Sequence, residues 1–150
     1  MKQLKMKLAA AAVLAMGMAQ VQAQEVTLKF HHIWNPQAMA SVNVIGPWCE
    51  KIAKESNNRM RCQILPAMSG GGTPAQLVDR VKDGVDDVVI TLPGYTAGRF
   101  PSTEVFELPF MCNSAEVGAQ ATWVYMNKHS TKEFPGTKLL ATWVHDEGYV

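Results

Sequence analysis

Charge is scarce in this sequence: Asp, Glu, Lys and Arg supply 18% of its 150 residues, and the formal net charge is only +1. A balance so near neutrality speaks against nucleic acid or an anionic membrane as the partner, since both require a basic surface. Long apolar runs are missing too. The most apolar stretch, Leu8 to Met18, falls short of the roughly 20 residues needed to span a bilayer. There are three cysteines, Cys49, Cys62 and Cys112, and no CxxC or Cys/His spacing to suggest a metal. No HExxH pair occurs, and His31-His32 are adjacent on a strand pattern, so they point to opposite faces and chelate one ion poorly. No GxSxG elbow surrounds a serine, and Gly70-Gly71-Gly72 lacks the Lys-Ser/Thr of a phosphate loop. Neither covalent catalysis nor a bound cofactor has support in these residues.

The amino terminus carries the plainest signal. Lys2, Lys5 and Lys7 precede the apolar run, and Val21 and Ala23 are small residues at the two positions a signal peptidase inspects. Residues 1–23 therefore read as a cleavable signal peptide, cut between Ala23 and Gln24. The product is expected in the periplasm, with no direct membrane insertion after cleavage. Cleavage removes three lysines and leaves a slight acidic excess. Residues 24–150 are enough for one domain with a real core. In an oxidising compartment disulfides can form. The default reading of each cysteine is nevertheless a buried thiol, with a Cys49–Cys62 bridge as the alternative.

Periodicity assigns the elements in order. Val26–His32 alternates as strand one. Met39–Ser56 has helical spacing at Val42, Ile45, Cys49 and Ile52, with a kink expected at Gly46-Pro47 because proline removes a backbone donor. Met60–Leu65 is strand two. Thr73, Pro74 and Gln76 write a capping box for a helix that ends at Gly84. Val85–Leu92 is strand three, closed by Pro93-Gly94. A long loop leads to Ser114, which caps a helix to about Lys128, and Thr137–Val144 reads as strand four. The expected fold is α/β, a mainly parallel sheet with helices on both faces. In such sheets ligands sit beyond the carboxyl ends of the strands. Trp34, Tyr95 and Trp143 stand at or near those ends, as the rings that line small-molecule pockets do.

These residues resemble a known family, the periplasmic solute-binding proteins of tripartite ATP-independent periplasmic (TRAP) transporters. The resemblance is carried by the leader, LKFHH, PWCEKIAKES, the Gln76–Gly84 helix running into VDDVVI, and TLPGYTAGRFPSTEVFELPF. It implies the first domain of a two-domain, type II-like binding protein, truncated, with the second domain missing. By the same resemblance the parent captures a small organic acid, a carboxylate, and delivers it to the membrane permease subunits of the transporter. An arginine that grips the carboxylate would then lie beyond Val150. Carried onto this sequence, the substrate-binding set is His32, Trp34, Thr91, Leu92, Tyr95 and His145. Its apolar members suit an aromatic, oxo or hydroxy acid better than a polyanionic sugar acid. Arg99, in a surface loop, is expected to be structural, and Arg59, Arg61 and Arg80 are assigned to turn, strand and helix surfaces. The alternatives are a secreted hydrolase with His32 or His145 as base, or an interaction domain without ligand.

Overall fold

The computed structural model describes residues 25–144, so the leader and His145 lie outside the described residues. Three parallel strands form the sheet: β1 (Val26–His31), β2 (Met60–Leu65) and β3 (Val88–Val89), in the order β2-β1-β3. β1 is central and pairs with β2 over its full length, from Val26 opposite Met60 to His31 opposite Leu65. β3 joins β1 through Phe30 opposite Val88 and His31 opposite Val89. A central strand is covered on both faces, so both adjacent histidines that follow Phe30 are fully buried. The fold is α/β with a parallel sheet, as the periodicity predicts.

The expected kink at Gly46-Pro47 takes a specific form. A π-turn over Ser41–Ile45 leads directly into helix α1 (Gly46–Glu55), with Pro47 in its first turn. The Gly46 amide bonds back to Ser41 O, the five-residue spacing of a π-bulge. The chain thus absorbs proline's missing donor without breaking the helix. Ile45 of the π-turn and Cys49 of α1 are buried against Phe30, and the Trp48 ring stands edge-on to Phe30 at 5.5 Å. Cys49 is not a free thiol: it is disulfide-bonded to Cys62 of β2, which ties α1 to the outer strand. The default thiol reading is corrected for this pair. Cys112 is free.

Thr73 and Gln76 cap as read, with the Thr73 amide donating to Gln76 Oε1 at 2.9 Å. A 3-10 turn (Pro74–Gln76) then opens α2 (Leu77–Lys82). The long loop contains a short helix, α3 (Pro101–Glu104). Ser114 accepts the Val117 amide and starts α4 (Ala115–Glu133), one turn longer than expected. The expected fourth strand is corrected. Thr137–Val144 has strand composition but no strand assignment, and strand three shortens to Val88–Val89. A strand exists only where a neighbouring backbone takes its hydrogen bonds. Beyond β3 no described backbone does so.

Candidate functional site

The carboxyl ends of β1 and β2 are tied together before any side chain reaches solvent. Met68 N–H donates to His32 O at 3.1 Å and Ala67 N–H to Trp34 O at 2.9 Å, so the two loops run as one ledge. Ala67 and Met68 both adopt positive φ to make that turn. Beneath it lies a buried polar cluster. His31 Nδ1 is 2.8 Å from Asp86 Oδ2, Arg80 Nε donates to the same oxygen at 2.6 Å, and Arg80 Nη2 donates to Gly70 O at 2.9 Å. Burial alone would raise the Asp86 pKa, but the hydrogen bonds from Arg80 and His31 outweigh it and hold the carboxyl below its ordinary range. Arg80 is therefore no simple surface residue. Arg99 is structural as expected: its guanidinium grips the Asp79 carboxylate, with Nη1 donating at 2.8 Å, and lies over the Phe100 ring.

The structure treats the six residues singled out by sequence differently. His32 is fully buried between Phe30 and Trp34, and neither ring nitrogen has a partner among the described residues. Burial first, and then His31, lowers its pKa, so His32 is a neutral imidazole at physiological pH. Such a ring can donate from one nitrogen and accept at the other. Trp34 stacks at a tilt on His32 at 6.0 Å and meets Trp143 at 5.8 Å. Thr91 and Leu92 line a large cavity together with Trp143. Tyr95 sits in the 3-10 turn Pro93–Thr96, 41% exposed, and is not among the residues that line the cavity. Glu107 secures that turn by accepting the Gly94 amide at 3.0 and 3.2 Å.

Trp143 thus belongs with Trp34, a pairing that its place near a strand end hinted at. Asp86 and Arg80 were missed, because an acid between Val85 and Asp87 gives no local sign that its partners are His31 and Arg80. The arrangement holds ring faces and a neutral imidazole at the ends of parallel strands. It offers recognition surfaces, not a nucleophile with a base.

Residues 30–148 match the family described as bacterial extracellular solute-binding protein, family 7, and the chain belongs to that family. A TRAP solute-binding protein from Rhodoferax ferrireducens, solved with copurified benzoate, is 50% identical with a TM-score of 0.76, over 81% of this chain and 38% of that one. A marine metagenome TRAP solute-binding protein specific for aromatic acid ligands, solved with 3-hydroxybenzoate, is 46% identical with a TM-score of 0.77, over 82% and 38%. The outer membrane transporter protein TsaT of Comamonas testosteroni is 28% identical over 95% of this chain and 42% of its own length. The chain therefore spans about two fifths of the relatives it matches. The family and these solved relatives are binding proteins, not enzymes, which removes the hydrolase reading. Among the described residues no helix is long and apolar enough to cross a membrane.

Proposed function

We propose that this protein captures a small aromatic carboxylate outside the cytoplasm and delivers it to a TRAP-type membrane permease. The observation that carries the reading is the family match over residues 30–148, joined to two relatives near 50% identity whose ligands are benzoate and 3-hydroxybenzoate. The Trp34–Trp143 pair and the His32 imidazole, which has no partner among the described residues, suit such a solute, with ring faces for the ring and a hydrogen-bonding group for an oxygen. Trp34, Thr91, Leu92 and Tyr95 form one wall of the cleft, with His32 and His145 bonding ligand oxygens. Residues 1–23 direct export, and residues 24–150 form the first lobe. A second lobe, with an arginine whose planar fork matches a carboxylate, supplies the opposite wall.

Calorimetric titration of the longest form that the reading frame encodes tests this. Benzoate or 3-hydroxybenzoate is expected to bind, and a polyanionic sugar acid is not. A form carrying both lobes that binds a sugar acid and neither aromatic acid would overturn the reading.

A further inference from the structure

Trp34, Thr91 and Leu92 are half-buried, whereas Tyr95 is 41% exposed. Packing against neighbours does not fix the Tyr95 ring, so its place depends on the backbone turn that carries it. That turn, Pro93–Thr96, and the residues after it are held from outside by three carboxylates. Glu107 accepts the Gly94 amide with both oxygens, at 3.0 and 3.2 Å. Glu104 accepts the Gly98 amide at 2.9 Å and the Phe100 amide at 3.0 Å, and Asp79 takes the Arg99 guanidinium. Of the three, only Glu107 bonds within the turn itself, at the residue next to Tyr95.

Gly94 is fitted to this contact. Its φ lies outside the left-handed region, so the turn does not need glycine for its conformation. A Cβ there would collide with Glu107 Oε2, so the missing side chain is what lets the carboxylate reach the amide. Hydrogen bonds to a carboxylate are about twice as strong as neutral ones. Glu107 itself comes from a separate 3-10 turn, Val105–Glu107, at a separation of 13 positions. The bond thus joins the TLPGY end of one sequence block to its FELPF end.

Resting on the reading of this site as a cleft for an aromatic acid, we propose that Glu107 is a positioning residue for solute binding. It acts through Tyr95 rather than on the solute, by holding the Pro93–Thr96 turn so that the ring stands in the wall before the solute arrives. A loose turn would have to be ordered on binding, and ordering one side chain lowers affinity by about two- to tenfold.

Benzoate titrations of the longest form that the reading frame encodes, over a double-mutant cycle of Glu107→Ala and Tyr95→Ala, test this. Glu107→Ala is expected to weaken benzoate about fivefold when Tyr95 is present, and by less than about twofold in the Tyr95→Ala background. Glu107→Gln keeps an acceptor oxygen for the amide and is expected to recover most of the affinity. Gly94→Ala, which displaces the carboxylate from the other side, is expected to reproduce Glu107→Ala and takes its place in the cycle if that variant does not fold. Equal weakening in both backgrounds would overturn the proposal, because a general loosening of the fold does not depend on the ring. Gly94→Ala protein that binds benzoate as the wild type does would overturn it as well. Either result, with benzoate bound by the wild type, removes the positioning role alone. Wild-type protein carrying both lobes that binds neither benzoate nor 3-hydroxybenzoate would overturn the aromatic acid reading and this proposal with it.

Discussion

Asp86 and Arg80 meet through two bonds, Nε to Oδ2 at 2.6 Å and Nη2 to Oδ1 at 3.2 Å, and the same carboxylate holds His31 from across the sheet. Asp86 thereby fixes β1 to α2, and Arg80 adds the Gly70 loop by donating from Nη2 to Gly70 O. Removing the carboxylate leaves donors unpaired around a buried site, so Asp86→Ala is expected to cost about 3–5 kcal/mol. Urea unfolding of the purified protein measures the loss.

The same contact sets an acid limit. Asp86 and Glu133 both titrate below their ordinary range: burial pushes each upward, and hydrogen bonds from Arg80 and His31, or from Thr103 and Ser102, outweigh it. A carboxyl whose folded pKa is depressed stabilises the fold above its unfolded value of about 4, and that contribution is lost as pH falls through the folded value. Melting temperature should therefore fall as the pH drops below about 4. Asp86→Asn should make the decline shallower. An equally steep decline in the variant would show that other groups set the limit.

The Cys49–Cys62 bridge closes a loop with a sequence separation of 13, and in the chain-entropy treatment a loop of that size is worth about 3 kcal/mol. Reduction, or Cys62→Ser, should lower the melting temperature by several degrees. Scanning calorimetry with and without reductant reads the shift, and Cys112→Ser serves as the control that leaves it unchanged.

Gly118 gives an inverted expectation. Glycine to alanine inside a helix normally gains about 1 kcal/mol. A Cβ at Gly118 would lie 2.6 Å from Val144 Cγ2 and 3.0 Å from Cys112 Sγ, so α4 could no longer approach its neighbours. Gly118→Ala is expected to destabilise by about 1–3 kcal/mol, the usual cost of overpacking. A stabilised variant in chemical denaturation would show that the contact is loose.

The pocket reading is tested one ring at a time. Tyr95→Ala and Trp34→Ala should each weaken aromatic acid binding at least about tenfold, roughly 1.4 kcal/mol, in calorimetry. Tyr95 is the sharper probe, because its exposure means that its loss does not disturb the core. Unchanged affinity in Tyr95→Ala would remove it from the site while leaving the family intact.

Export has its own check. The protein recovered from the periplasm should begin at Gln24 by mass spectrometry. Mature soluble protein that retains Met1 would exclude cleavage.

Local chemistry made much of this molecule legible from its residues alone. The Thr73–Gln76 box, the Ser114 cap, the kink at Gly46-Pro47 and the period-two pattern of β1 all depend on neighbours a few positions away, and short-range sterics and hydrogen bonds decide them. The family followed from whole blocks such as TLPGYTAGRFPSTEVFELPF. Other features depended on partners far along the chain. His31 meets Asp86 across 55 positions and Lys29 meets Asp87 across 58, and nothing local in VDDVVI says which acid turns inward. Helix and strand geometry decided that Cys49 faces Cys62, and only the folded sheet brings Trp34 to Trp143. Thr137–Val144 shows the division most clearly. Its side chains encode a strand, but a strand is a relation between two backbones, and tertiary structure decides whether the second one is there.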